Sequence, residues 1–375
     1  MPLSPSVATR IQPYFGHRNR DRLVLSARAL RCRPPAFGEG SRWKAMRTLL
    51  AQFASREVEG VAVRLMARDG ETVLLDTMRV TDGEGFVHFD AALDPAWDLP
   101  VHPAWEVVQL EWENSEGPQS VDAHILVPGS KSDLAVISDI DDTIIETGIT
   151  GGPRNIARNW KRIFAQLPHE RIAVPDAQSF YGELGGGDPA PDADGCPHRM
   201  RATRRPFFYI SSSPWNLFSY LVAFMRGKGL PLGPMKLRDW GLSRETFGKS
   251  SHGAHKKAAL DSILGMYPEM GFALIGDDTQ GDLAAFAHAV ARHPGRVAAV
   301  FLRKAAGEDF SAEEVEAKAV IEGANVPLWL GATYAEGADF LRALDFTLGG
   351  ETEQIVRTVE KVETAKEGAE APATL

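Results

Sequence analysis

Leu134-Ala135-Val136-Ile137-Ser138-Asp139-Ile140-Asp141-Asp142-Thr143 decides how this chain is read. Leu134 to Ser138 has the length and β-branched content of a strand buried on both faces, and the acids fall just past its carboxyl end. Ligands of open α/β sheets bind outside those strand ends, so the acids stand where chemistry is expected. Two acids at i and i+2 of an extended strand end share one side. Asp139 and Asp141 can therefore either hold a divalent cation between them or divide the work, one attacking as nucleophile and the other passing a proton. Asp and Thr also serve in ordinary turns and helix caps. Three later stretches weigh against that plainer role.

Phe207-Phe208-Tyr209-Ile210 is a second short apolar strand, and it runs into Ser211-Ser212-Ser213-Pro214. Ser213 and Pro214 read as the N-cap and first residue of a helix, which Leu217, Leu221 and Phe224 continue to Gly227. Hydroxyls and free N–H groups meeting there suit a phosphate, although ordinary capping accounts for the same residues. His255-Lys256-Lys257 opens a helix marked by Leu260, Ile263 and Leu264. Periodicity does not choose which lysine faces inward, and a solvated lysine pair is the commoner case. Phe272-Ala273-Leu274-Ile275 is a third buried strand and ends in Gly276-Asp277-Asp278-Thr279-Gln280-Gly281-Asp282. Three carboxylates in one turn repel unless a cation is shared. With only oxygen ligands nearby, Mg²⁺ is the natural choice.

The order of these pieces, D-x-D-x-T, a strand-ending serine, a lysine and G-D-x-x-x-x-D, resembles the haloacid dehalogenase superfamily of phosphotransferases. The resemblance implies that Asp139 is the nucleophile and Asp141 the general acid and base. Ser211, Ser212 and Lys256 would hold the substrate phosphate. Asp139, Asp277 and the backbone carbonyl of Asp141 would bind Mg²⁺, with Thr143 and Asp282 in support. Longer words, Val136 to Ile144, Phe207 to Trp215, Leu237-Arg238-Asp239-Trp240-Gly241 and His255-Lys256, resemble the actin-patch-protein family of Mg²⁺-dependent phosphatidate phosphatases, relatives of the lipins. In that family the lysine directly after histidine is the anchor, which favours Lys256 over Lys257. The chain departs from the family at Asp278, where a small residue is usual.

The remaining sequence sets bounds. The 375 residues, 44% hydrophobic, suffice for two domains with cores of their own. Two cysteines, Cys32 and Cys196, offer neither a disulfide framework nor a metal knuckle, which suits a reducing cytoplasm. No signal core and no run of about 18 apolar residues occurs, so a cytoplasmic protein, at most peripheral to a membrane and without a transmembrane segment, is expected. A net charge of −9 argues against nucleic-acid binding. Met1 to Leu50 is nevertheless locally basic, with ten Lys or Arg against Asp21 and Glu39. That end reads either as a surface for anionic lipid headgroups or as a solvated face.

Trp43, Met46, Leu49, Leu50 and Phe53 keep helical spacing. From Val61 the pattern alternates, with turns at Asp69-Gly70 and Asp82-Gly83 and further strands at Phe86 to Phe89, Trp105 to Trp112 and Val121 to Val127. The spacing predicts a helix plus a small antiparallel β-sandwich over 1–130, followed by an α/β catalytic domain over 131–350. An insert of about 148–205, helical around Ile156 to Leu167, is read either as a lid over the site or as decoration beside the sheet. Arg199, Arg201, Arg204 and Arg205 either help hold phosphate or stay at the surface. Residues 297–302 and 326–330 add strands, separated by a helix with a capping box at Ser311-Ala312-Glu313-Glu314. A charged, partly disordered tail over 351–375 completes the chain. The resemblance implies an α/β, haloacid-dehalogenase-like phosphatidate phosphatase that meets its phospholipid at a membrane surface. A phosphatase of soluble phosphomonoesters or phosphoproteins, and a catalytically silent lipid-binding scaffold, are the alternatives.

Overall fold

The computed structural model describes residues 7–32, 56–141, 143–144, 173–186, 199–238, 249–278, 281–304 and 310–344. Among these, the strands β1 (Arg10–Pro13), β2 (Gly16–Arg18), β3 (Arg22–Arg31), β4 (Arg56–Glu57), β5 (Ala62–Asp69), β6 (Thr72–Val80), β7 (Phe86–Ala92), β8 (Ala104–Asn114) and β9 (Gly117–Val127) come first. Alternation drives their assembly. Leu23, Leu25, Ala27 and Ala29 of β3 share one core with Val63 and Leu65 of β5, Val87 and Phe89 of β7, Leu110 of β8 and Ile125 of β9. The expected turns are present. Asp69 pairs with Thr72 across Gly70-Glu71, and Gly70 has φ +56°, a value that favours glycine. Asp82 Oδ1 accepts the N–H groups of Glu84 and Phe86.

The expected antiparallel sandwich needs correction in two respects. Its layers belong to one ten-stranded sheet, ordered β1-β3-β2-β9-β8-β5-β6 with β4 and β7 on β3 and a later strand, Arg199–Arg201, on β8, and β2 pairs parallel with β9. Strands β1 to β3 also occupy a stretch read only as basic. Among its described cations, Arg18 is buried against Glu106 at 2.7 Å, Arg28 is buried beside Glu57, and Arg22 pairs with Asp90. The amphipathic helix expected over 41–53 lies outside the described residues.

The second sheet begins at β10 (Leu134–Asp139). After it, β11 (Arg199–Arg201) joins the first sheet against β8. Then follow β12 (Phe207–Pro214), β13 (Met235–Arg238), β14 (Gly271–Asp277), β15 (Val297–Arg303) and β16 (Leu328–Gly331). The order is β13-β12-β10-β14-β15-β16, and every pair is parallel. Parallel strands need crossovers that cover both faces. Val136, Tyr209, Ile275 and Phe301 point to one face and pack with the helices Ala177–Leu184, Phe218–Gly227 and Tyr334–Ala343. Ile137, Phe208, Leu274 and Leu302 point to the other, toward Lys249–Met266, Asp282–Arg292 and Ala312–Gly323. The capping box is formed: Ser311 accepts from Glu314 N–H and Glu314 accepts from Ser311 N–H.

From β10 the chain lays down β12 and β13 on one side and then crosses to β14, β15 and β16 on the other. The crevice at such a reversal lies above the carboxyl ends of β10 and β14, where this class of sheet binds ligands. Both cores also take residues of the first sheet and its connections, Tyr14, between β1 and β2, and Phe86 on one face, Trp105 and Leu126 on the other.

Two local readings change. Helix Ala177–Leu184 falls within the stretch read as an insert, yet Phe180, Tyr181 and Leu184 are fully buried in the sheet's core. The segment expected to be helical around 156–167 lies outside the described residues, as do Cys196, Asp239 to Gly241 and the tail. Arg205 is buried too, its Nη1 donating to Leu184 O at 2.9 Å, so it braces that helix.

Candidate active site

Asp139 is the last residue of β10 and Asp277 the last of β14, so hydrogen bonding between these neighbouring strands fixes the separation of two carboxylates. Asp282 comes third, in the first turn of its helix after Gly281 at φ +76°. A carboxylate there meets the positive end of the helix dipole. Its Oδ2 accepts Asp277 N–H at 3.0 Å. Gly276 permits this approach, since a Cβ there would stand 2.6 Å from Asp282 Oδ2. One oxygen from each of Asp139, Asp277 and Asp282 lies within 4.8 Å of the others, and all three residues are buried.

Lys256 answers that negative charge. Its side chain is 2% exposed, with Nζ 2.9 Å from Asp139 Oδ1 and ion-paired with Asp282 Oδ1. The helix starts earlier than expected, at Lys249, so Lys256 sits in its interior and not at its amino end. His255 Nε2–H donates to Lys236 O at 3.3 Å, tying this turn to β13, while Lys257 is only partly buried. The structure thus separates the two lysines that periodicity left equal. Burial would lower the lysine's pKa, but Asp139, Asp282 and Asp277 more than offset it and raise it. Burial pushes the Asp139 carboxyl up, Lys256 pulls it down, and the neighbouring acids push it up again.

Asp141 is held separately. Ser211 Oγ donates to its Oδ2 at 2.6 Å and Ser213 Oγ to its Oδ1 at 3.0 Å, while Ser211 Oγ accepts Ser213 N–H at 2.9 Å. Ser213 is therefore not a helix cap. β12 runs on through Pro214, and a 3₁₀ turn, Trp215–Leu217, precedes the helix. Ser212 is buried beside Ser211 and Ser213. Thr143 Oγ1 donates to Asp277 Oδ2 at 2.9 Å, joining the two acidic strand ends. Asp278 points less deeply, partly exposed, and its N–H donates to Arg303 O at 3.1 Å.

Sequence reasoning missed the layer beneath. Ser138 Oγ donates to Asp139 O at 2.6 Å and so accepts from Tyr181 OH, also at 2.6 Å. Tyr334 OH donates to Thr143 O at 2.9 Å. Burial pushes both phenols up, so they remain neutral donors. Tyr334 stands 191 positions from its partner, and no local pattern announces it.

Buried carboxylates and one buried lysine, gathered at the switch point of a parallel α/β sheet, define a class of site that can hold a cation and an oxyanion together. Residues 134–304, from the first residue of β10 to the residue after β15, match the family described as phosphatidate phosphatase APP1, catalytic domain. Among curated relatives, the phosphatidate phosphatase APP1 of Saccharomyces cerevisiae is 28% identical over 174 residues, 45% of this chain and 26% of that one. An uncharacterized protein of Schizosaccharomyces pombe is 24% identical over 175 residues, 46% of this chain and 25% of its own. The matched region spans about a quarter of the length of these relatives. Among solved structures, a Parabacteroides merdae β-glucuronidase aligns at a TM-score of 0.28 and 8% identity, over 86% of this chain and 39% of that one, too slight a likeness to bear on fold or function. Among the described residues, no helix is long and apolar enough to cross a membrane.

Proposed function

We propose that the chain is a Mg²⁺-dependent phosphatidate phosphatase, hydrolysing phosphatidate to diacylglycerol and phosphate through an aspartyl phosphate on Asp139, on a haloacid-dehalogenase-like fold. The observation that carries this reading is the pairing of buried Asp139 with Lys256 while Asp141, two residues on, is held apart by two serine hydroxyls. Two carboxylates so close in sequence but so differently partnered suit two different roles. The family match of residues 134–304 supports the reaction and the lipid.

The site fits a divalent cation. Asp139 Oδ1 is buried and lacks hydrogen-bond geometry to any partner, although Lys256 Nζ is near. The three clustered donors are carboxylate oxygens, which match Mg²⁺ better than softer metals. Asp139 and Asp277 would hold the ion, with the Asp141 carbonyl as the resemblance implies and Asp282 in support through Lys256 and the Asp277 N–H. When bound, Mg²⁺ supplies Lewis-acid neutralisation of phosphoryl oxygens.

The chain's own residues do the rest. A carboxylate oxygen of Asp139 bonds to phosphorus as the bond from phosphorus to the glycerol oxygen breaks. Lys256 offsets charge on the phosphoryl oxygens, and Asp141 gives its proton to the departing alkoxide. Asp141, now ionised, takes a proton from water as that water attacks phosphorus and the bond to Asp139 breaks. Ser211 and Ser213 orient Asp141 in both halves. In this reading Ser211 acts first on the acid–base carboxylate and less as a direct phosphate anchor, because its proton is already donated to Asp141.

The test is a substrate panel with and without Mg²⁺: phosphatidate in mixed micelles, lysophosphatidate, soluble sugar and nucleotide phosphates, and a phosphopeptide. Phosphatidate should lead in kcat/KM, and Asp139→Asn should abolish turnover without loss of folding. A hundredfold preference for a soluble phosphate removes the lipid reading. Mg²⁺-independent turnover, or an active Asp139→Asn protein, removes the mechanism.

A further inference from the structure

We infer that Arg28, on β3 of the first sheet, is a positioning residue for the reaction, setting the Ser211–Asn216 segment that orients Asp141. The inference rests on the acid–base role proposed above for Asp141.

The segment is weakly determined by its own sheet. β12 pairs with β10 only as far as Ile210, opposite Asp139. On its other side the register with β13 breaks after Ile210 and resumes only at Pro214, opposite Arg238. Ser211 to Ser213 therefore lie across an irregularity, where ladder bonds do not set the direction of a side chain. The 3₁₀ turn that follows has Pro214 at its cap position and no side-chain cap. Hydroxyls that must stay within hydrogen-bond reach of Asp141 thus depend on what fixes the chain just downstream.

That fixation comes from the first sheet. Arg28 is 6% exposed, and its Nη1 donates to Asn216 Oδ1 at 2.8 Å. The guanidinium is itself anchored: Nε donates to Glu84 O at 2.9 Å, Nη2 to Glu57 Oε1 at 3.1 Å, and Cζ lies over the Phe86 ring, 4.3 Å from its centroid. Such a fork, stacked and bonded on three sides, has little freedom, and a lysine could not reproduce it. Trp215 is gripped in parallel by Tyr14, with ring centroids 4.3 Å apart. The first sheet therefore holds residues 215 and 216, three positions at most from the Ser213 hydroxyl that reaches Asp141. It is part of the catalytic apparatus as well as a neighbouring sheet.

Four variants test this in the full chain: Arg28→Ala, Asn216→Ala, the double variant, and Asn216→Asp, which keeps an acceptor for Arg28. Arg22→Ala, which removes an exposed pair with Asp90 on the same strand, is the control. Phosphate release from phosphatidate micelles gives kcat and KM, and amide hydrogen exchange is followed over peptides spanning 207–218. Arg28→Ala should lower kcat about 10- to 100-fold with KM within about twofold, the scale expected when a catalytic group is misplaced by a fraction of an ångström. Asn216→Ala should match it, and the double variant should be no worse than either single one, because one contact is removed twice. Asn216→Asp should stay within about threefold of wild type. Exchange over 211–217 should quicken in Arg28→Ala and Asn216→Ala but not in Arg22→Ala. If Arg28→Ala fails to fold, Asn216→Ala still decides, since it leaves the Arg28–Glu57–Phe86 cluster intact. Wild-type kcat in Asn216→Ala, additive losses in the double variant, or unchanged exchange over 211–217 overturns the inference. An inert wild type overturns the proposed function instead, and the exchange readout then still judges the link between Arg28 and the serine segment.

Discussion

Replacing Lys256 by methionine keeps most of the side chain's length and removes only the charge. At 2.9 Å from Asp139 Oδ1, and with Asp282 in contact, the ammonium balances a group of buried carboxylates. Its attraction to Asp139 alone is about 6 kcal/mol at an effective dielectric of about 20, before desolvation is counted against it. Breaking such a buried pair from one side typically costs about 3–5 kcal/mol, because the remaining charge stays uncompensated. We expect a loss of that size in urea unfolding of Lys256→Met with EDTA present, and a smaller loss in excess Mg²⁺, which supplies the missing positive charge. Turnover should fall about 10²- to 10³-fold, as for removal of a preorganised charge-stabilising group. Lys257→Ala, at a partly exposed site, should change stability by no more than about 0.5 kcal/mol and leave turnover near wild type. A Lys256→Met protein destabilised by less than about 1 kcal/mol with EDTA, or equally with and without Mg²⁺, would refute the electrostatic reasoning.

Three further outcomes are expected. Gly276→Ala should move Asp282 away from Lys256 and from Asp277 N–H, since the new methyl meets its carboxylate at 2.6 Å, and kcat should drop with KM little changed; wild-type kinetics would show that Asp282 is dispensable. Glu106→Ala strands the fully buried Arg18 guanidinium and should cost about 3–5 kcal/mol in urea unfolding, against a near-zero effect for the exposed Arg20–Asp98 pair. His17 is buried beside Tyr267, and burial, then Lys236 and Arg22, hold its pKa well below the ordinary value. The unfolded chain binds this proton first, so stability should fall as the pH drops below about 6.5, by up to about 1.4 kcal/mol per pH unit from this group. The pH dependence of unfolding should be shallower in His17→Gln, and an unchanged slope would exclude His17 as a source of acid sensitivity.

The chemistry-bearing strands were legible because their signals are local. Leu134 to Ser138, Phe207 to Ile210 and Phe272 to Ile275 are short apolar runs ended by polar residues, and parallel strands buried on both faces have that form. Asp139, Asp141, Lys256, Asp277 and Asp282 could be named from spacing and resemblance, and the fold does bring them into one neighbourhood. Ser213 was misread because Ser-Pro before an apolar periodicity has the same sequence form whether the strand stops or runs on. The first three strands were overlooked because charge was counted over Met1 to Leu50 while alternation was not, although Leu23, Leu25, Ala27 and Ala29 carry it plainly.

By itself, then, the sequence determined the parallel α/β layer and the identity of the acids at its strand ends, since a residue's period and chemistry are set by its immediate neighbours. Tertiary structure decided which lysine turns inward, that Ser213 serves Asp141, that Tyr181 and Tyr334 support the acidic loop from below, and that Arg28 reaches Asn216. Those pairings join residues up to 191 positions apart. They exist only because close packing brings particular distant polar groups within reach of one another, and no window of neighbouring residues contains that information.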